Sequence, residues 1–235
     1  MPHPYKQFYR RKLPHIQPPN ATLFVTFRLK ESIPKTVLQQ WKQERIWLQS
    51  EIKRVSTIEF ARTLDERQKA RLLDFHRRWF VKFEAILHKE ETGPLWMKDP
   101  RIADLIQDSL HYRDGKVFRL DAHSIMANHV HTVFKLLLNS HSLRVIPESH
   151  PLMYESIEPT LGVIMQSLKG YTAHEANKIL NRLGEFWEPE SYDHVIRNEA
   201  EFDRVIRYVV NNPVKAGLVK NWRDWKWSWR RTTGC

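Results

Sequence analysis

The segment ATLFVTFRLK sets Leu23, Val25, Phe27 and Leu29 on one side and Phe24, Thr26 and Arg28 on the other, a period of two that predicts a first core strand. From Pro34 the spacing lengthens. Leu38, Trp41, Leu48 and Ile52, then Leu72, Trp79, Phe83 and Ile86, recur at helical intervals and predict two long helices. The charged link between them, residues 53–68, has no Gly or Pro to fix a boundary. Asp99-Pro100 opens a further helix carrying Ile102, Leu105, Ile106 and Leu110, because Asp accepts an orphan amide and Pro suits the first helical position. Asp114-Gly115 then turns the chain into VFRLDAHSIM and, past Ala127-Asn128, into HVHTVFKLLL, an antiparallel hairpin. After a polar loop, residues 139–158, a helix is expected over 159–168. A second follows from the capping box Thr172 and Glu175, with Ala176, Ile179, Leu180 and Leu183 apolar before Gly184 stops it. Trp187 opens an extended stretch and SYDHVIR reads as a strand. Asn198 with Glu201 starts a helix with Phe202, Val205, Ile206 and Val209 inward, which Pro213 ends.

The order is strand, helical pair, helix, two strands, two helices, strand, helix. It predicts an α+β fold, an antiparallel sheet with flanking helices that carries an inserted α-helical hairpin. The corresponding division is 1–30 (basic lead-in and first core strand), 31–95 (helical hairpin), 96–221 (the core with the tyrosine-bearing helix) and 222–235 (a Trp/Arg-rich tail).

Composition narrows the partners. With 41% hydrophobic residues and nine tryptophans, the 235-residue chain has the apolar surface of a globular protein. The lone cysteine, Cys235, permits no intrachain disulfide and no cysteine-based zinc site, which fits a reducing, cytoplasmic setting. The basic, proline-broken start MPHPYKQFYRRKLPH is followed by no apolar run of membrane-spanning length, so neither export nor membrane insertion is expected. A net charge of +11 points to a polyanion, with nucleic acid first among the candidates. Arg10, Arg11, Arg28, Lys169, Arg197, Arg204 and Lys215 are candidate phosphate contacts. The terminal NWRDWKWSWRR mixes tryptophans with cations in a way suited to stacking bases, but anchoring of the rings is the stronger reading, since exposing them all invites aggregation.

Two clusters carry chemistry. His129 and His131 flank Val130 on a strand, so both imidazoles leave the same face and can hold one metal ion; two polar residues on the solvent side of a half-buried strand have the same pattern. On the helix 199–212, Arg204, Tyr208 and Asn212 form a stripe separate from the apolar face. A phenol one turn from an amide oxygen suits phosphoryl transfer, and a tyrosine packed at a domain edge accounts for Tyr208 equally well. Tyr192, with His194 nearby, is a rival nucleophile, while His123 and His174 read as capping or solvent-facing.

These residues also carry a resemblance. IMANHVHTVF resembles the paired-histidine motif of HUH-type single-tyrosine transposases, and EFWEPESYDHVIRNEAEFDRVIRYVVNNPVKAGLV resembles the C-terminal half of their REP-associated branch. HVH together with YVVNNPVKAGLV is more specific than either alone. The likeness runs from about Leu95 through Trp229, with ATLFVTFRL added, and is weak over the helical pair. It implies an HUH/ferredoxin-like core and a metal-dependent endonuclease and strand transferase acting on single-stranded or hairpin DNA of palindromic repeats. Mapped here, His129, His131 and Asn212 would hold Mg²⁺ or Mn²⁺, and Tyr208 would form a 5′-phosphotyrosine, in a monomer or a homodimer. A domesticated relative that binds DNA or RNA hairpins without cutting is the alternative. One departure is Ala127, where members of the family commonly have proline.

Overall fold

A computed structural model of the chain describes residues 8–10, 14–16, 21–56, 66–137 and 160–232. The polar 139–158 loop and most of the link between the long helices lie outside the described residues. The chain divides into two compact units, Glu31–Pro94 and the remainder.

In the larger unit, β1 (Phe8–Arg10) and β2 (Pro14–Ile16) pair as a short antiparallel ladder that the hydrophobic pattern did not foreshadow. The main sheet is antiparallel and five-stranded. Its strands are β3 (Thr22–Arg28), β4 (Phe118–Ile125), β5 (His129–Leu136), β6 (Tyr192–Ile196) and β7 (Ser228–Arg230), in the order β6-β3-β5-β4-β7. The fold is α+β. In β3 the alternation has the expected consequence: Leu23, Val25 and Phe27 are fully buried on one face with Val130 and Phe134 of β5. Against that face pack α3 (Pro100–Arg113), through Ile102, Ile106 and Leu110, and α4 (Leu161–Ile179), through Ile164 and Leu168. Each such fully buried side chain contributes roughly 1.5–3 kcal/mol. The opposite face, with Phe24, Thr26 and Arg28, is covered by α5 (Glu199–Val210), which packs on β4 and β5.

Local signals set several boundaries. Asp99 accepts the Arg101 amide at 2.9 Å ahead of Pro100 and starts α3. α4 is one helix where two were expected. Thr172 does not cap: its hydroxyl donates to the Leu168 carbonyl at 2.8 Å and accepts from Trp187 Nε1 at 2.9 Å, both buried contacts inside a continuous helix. The cap is Thr160, which accepts from the Val163 amide. The helix stops at Ile179, ahead of Asn181 at φ 47°, before Gly184 is reached.

The Trp/Arg-rich terminus enters the sheet as β7, paired with β4. Trp225 Nε1 donates to the Ile125 carbonyl at 3.0 Å and Trp227 Nε1 to Asp104 at 2.8 Å. Trp229 stacks on His123 and meets His111 edge-on. His123 therefore neither caps nor faces solvent. It is fully buried in β4, its Nε2 lies 3.1 Å from His111 Nε2, and burial pushes it down to about 3. His174 is exposed, as expected.

In the smaller unit, α1 (Lys35–Ser56) and α2 (Glu66–Lys89) form the helical pair. Trp41 meets Trp79 and Phe83 at ring separations of 6.5 and 5.6 Å, and Trp79 Nε1 donates to Glu44 at 3.1 Å. The ends of this unit meet where Gly93, at φ 73°, leaves no room for a side chain: a Cβ there would lie 2.5 Å from the Glu31 carbonyl oxygen.

His123 gives stability a defined pH dependence. An unfolded histidine takes up a proton below about 6.5, whereas folded His123 refuses it until about 3. Its contribution is complete above about pH 6.5 and is lost as pH falls through that window, by at most about 1.4 kcal/mol per pH unit. Urea denaturation at a series of pH values should show a shallower acid slope for His123→Leu than for the parent. Equal slopes would remove His123 as the cause.

Candidate active site

α5 packs over the face of β5 from which both motif histidines project, and both are buried; the solvent-side reading of the pair is corrected. Their rings stand 4.7 Å apart. His129 Nδ1 lies 2.7 Å from the side-chain oxygen of Asn128, and His131 Nδ1 lies 2.8 Å from the hydroxyl of Thr26, its direct cross-strand neighbour. An amide oxygen only accepts, so His129 donates through Nδ1, and its neutral form keeps the lone pair on Nε2. The turn before the pair is fixed from outside: the Leu29 amide donates to the Asn128 carbonyl, and the Met97 amide to that of Ala127, the position of the expected proline.

On the helix above, Asn198 accepts the Glu201 amide at 2.9 Å. The Glu201 carboxylate accepts the Arg197 amide at 2.9 Å and is 3.0 Å from His194 Nε2. Burial works against its charge, yet the His194 and Arg197 hydrogen bonds prevail and hold Glu201 below the usual range. His194 thus serves the clasp between β6 and α5. The helix carries half-buried Tyr208 to 5.5 Å from His131, ring centre to ring centre. Phe24 stacks on His131 at 5.6 Å and meets Tyr208 edge-on at 5.9 Å. Lys215 Nζ sits 5.6 Å over the Tyr208 ring. Tyr192, registered with Thr26, also reaches Phe24, at 6.1 Å.

Asn212 is fully buried but does not ride on the tyrosine helix. α5 ends at Val210, and Asn212 begins a separate short helix, α6 (Asn212–Lys215), because Pro213 has no amide to continue the ladder. The expected single helix over 199–212 is corrected to two elements meeting at Asn211.

The candidate phosphate contacts divide. Arg197, Arg204 and Lys215 are exposed. Arg28 is not: it lies 3.7 Å from Glu188, and burial lowers its pKa despite that carboxylate. Lys169 lies inside α4, not before a helix, and donates to the Pro189 carbonyl at 3.1 Å and the Ser191 hydroxyl at 3.2 Å. Nothing is described for the Arg10 side chain, and Arg11 lies outside the described residues. Sequence reasoning missed Phe24, Thr26, Asn128 and the Glu201–His194 clasp. For Phe24 and Thr26 the signal was their place on the second face of β3, which acquires meaning only with the β3–β5 register.

No family model matches. Over 46 residues, a fifth (20%) of this chain, it is 39% identical to a REP-associated tyrosine transposase of Escherichia coli, covering 28% of that protein. The chain is similar to REP-associated tyrosine transposases. Over 99 residues, 41% of the chain, it is 25% identical to an uncharacterised protein of Haemophilus influenzae, covering 54% of it. It therefore spans about half the length of one curated relative and little over a quarter of the other. A solved structure of a REP-associated tyrosine transposase bound to a REP hairpin aligns over 94% of this chain and 80% of its own, at 17% identity and a TM-score of 0.44. Among the described residues no helix is long and apolar enough to cross a membrane.

The clasp makes a testable demand. Glu201→Ala removes its bonds to His194 and the Arg197 amide and should cost about 1–3 kcal/mol. Hydrogen exchange should quicken first in the amides of α5. Unchanged exchange there would show that the clasp does not hold the helix.

Proposed function

We propose that this chain is a metal-dependent single-strand DNA endonuclease and strand transferase acting on hairpin or repeat DNA through a 5′-phosphotyrosine at Tyr208. The observation that carries the reading is the 5.5 Å approach of the Tyr208 ring to His131, one of two imidazoles buried side by side on a central strand. The core, residues 96–221 with β3, would do the chemistry, and residues 31–95 would be an insertion. The setting is cytoplasmic, and the active form a monomer or homodimer.

The donor set fits a divalent cation. His129 and His131 are anchored through Nδ1 by oxygen atoms, the outer-shell arrangement that orients a ligating imidazole with Nε2 forward. They and the side-chain oxygen of Asn212 would hold Mg²⁺ or Mn²⁺. The ion would supply Lewis acidity that offsets charge building on the phosphoryl oxygens.

The protein's own groups do the rest. The Tyr208 oxygen attacks phosphorus and gives up its proton; the bond from phosphorus to the 3′ oxygen breaks, and that oxygen leaves as a free 3′-hydroxyl on taking up a proton. The phosphodiester is exchanged for a phosphotyrosine ester, so rejoining needs no nucleotide cofactor. Lys215 places positive charge beside the phenol, and exposed Arg197 and Arg204 supply cations for the DNA backbone.

Incubation with labelled hairpin DNA and Mn²⁺, followed by denaturing electrophoresis, tests this. The parent and Tyr192→Phe should give a protein-linked product; Tyr208→Phe should give none while still binding, and EDTA should abolish scission. An adduct that survives in Tyr208→Phe moves the nucleophile elsewhere. A parent that binds but never cuts establishes the non-cleaving alternative.

A further inference from the structure

The helical layer on the far face of the sheet carries an arrangement that the proposed chemistry does not use. Tyr112, in the last turn of α3, is 68% exposed, and Tyr171, on α4, is 51% exposed. Large aromatic rings exposed in a cluster, rather than singly, mark an interaction surface. Lys116 places its ammonium 3.3 Å from the centre of the Tyr112 ring, and the Arg113 guanidinium lies 5.9 Å from that of Tyr171. Arg113 follows Tyr112 directly on α3 and reaches Tyr171 on α4, so the groups adjoin on one surface.

Arg113 is also fixed in place. It donates to the Ser109 carbonyl and hydroxyl at 3.0 and 2.6 Å and to the Ser167 carbonyl and hydroxyl at 3.3 and 3.1 Å, tying α3 to α4. All four acceptors are neutral. Among the described residues neither Arg113 nor Lys116 has a carboxylate within ion-pair distance, although Arg119, Lys226 and Arg231 each have one. Among the described residues, two cations without a carboxylate partner, one of them held rigidly, lie against two exposed tyrosine rings.

We propose that Tyr112, Arg113, Lys116 and Tyr171 form a docking surface for single-stranded DNA, with bases stacking on the tyrosines and phosphates meeting the cations. Stacking on a tyrosine face tolerates any base, and a cation beside the ring neutralises the backbone that accompanies it. Duplex DNA hides its base faces and cannot use the rings. The choice of DNA rests on the proposed function; the surface itself rests on the four side chains.

Fluorescence anisotropy with labelled oligothymidylate of about 20 nucleotides, in EDTA so that no cleavage intervenes, tests it. Tyr112→Ala with Tyr171→Ala should weaken binding about tenfold or more, and phenylalanine at both positions should restore it. Lys116→Gln should reduce the slope of log affinity against log salt by roughly 0.7. Unchanged affinity in the alanine pair, an equal loss on blunt duplex DNA, or tighter binding of oligouridylate than oligothymidylate would overturn the proposal. Tyrosine-dependent binding by a parent that forms no covalent adduct would support the surface while removing the nuclease reading.

Discussion

The antiparallel pairing of β3 with β5 is the constraint on which the rest depends. Its register sets Thr26 opposite His131 and Arg28 opposite His129, while Leu23 and Phe27 fall opposite Phe134 and Val130. A slip of one residue would exchange the faces of a strand, sending both imidazoles among the aliphatic side chains of the core and lifting Val130 and Phe134 out of it. The apolar alternation that builds the core therefore also aims the histidines. Stability and site geometry are specified by one pattern.

Helices divide the labour of the two faces. α3 and α4 bury the core, and the buried face of α5, with Ile206, Val209 and Val210, is set against the other side. The position of α5 is fixed at both ends. Glu201 ties its start to β6, and Ser228 of β7 lies 3.5 Å from the Val210 carbonyl at its finish. Ser228 also donates to Ser124 at 2.9 Å, across from His131. The terminal tryptophans thus have a role beyond filling space: by holding β7 on β4 they hold the strand against which the tyrosine helix ends.

Period-two and helical spacing made β3, β4, β5, β6 and most helices legible, because burial on one face writes itself directly into residue order, whereas β1, β2 and β7 carried no such signal. What was not legible depended on partners distant in the chain. Thr172 looked like a cap because Glu175 follows it at the right interval; only Trp187, brought in by the fold, shows the hydroxyl as an interior bond. Arg28 and Lys169 read as phosphate contacts because charge is visible in sequence and a facing Glu188, Pro189 or Ser191 is not. His123 gave no sign of burial, since the groups around it come from α3 and β7. The motif singles out His129, His131 and Tyr208, whose rings the fold brings near one another. The break that sets Asn212 off from the tyrosine helix follows from Pro213, which was read as a stop without being carried back to Asn212.

The site is assembled from parts with unequal freedom. Each imidazole is held through Nδ1 within a strand paired on both sides, so its orientation is settled before any ligand arrives. Tyr208 belongs to a helix on the sheet, half-buried, with Phe24 on one side and Lys215 over its ring. A rigid pair would suit the proposed ion, since little reorganisation would be needed on binding it. Half-burial leaves Tyr208 an open side, which the proposed covalent chemistry would require. Phe24 lies between the two: stacked on His131 and edge-on to Tyr208, it ties the tyrosine helix to the strand.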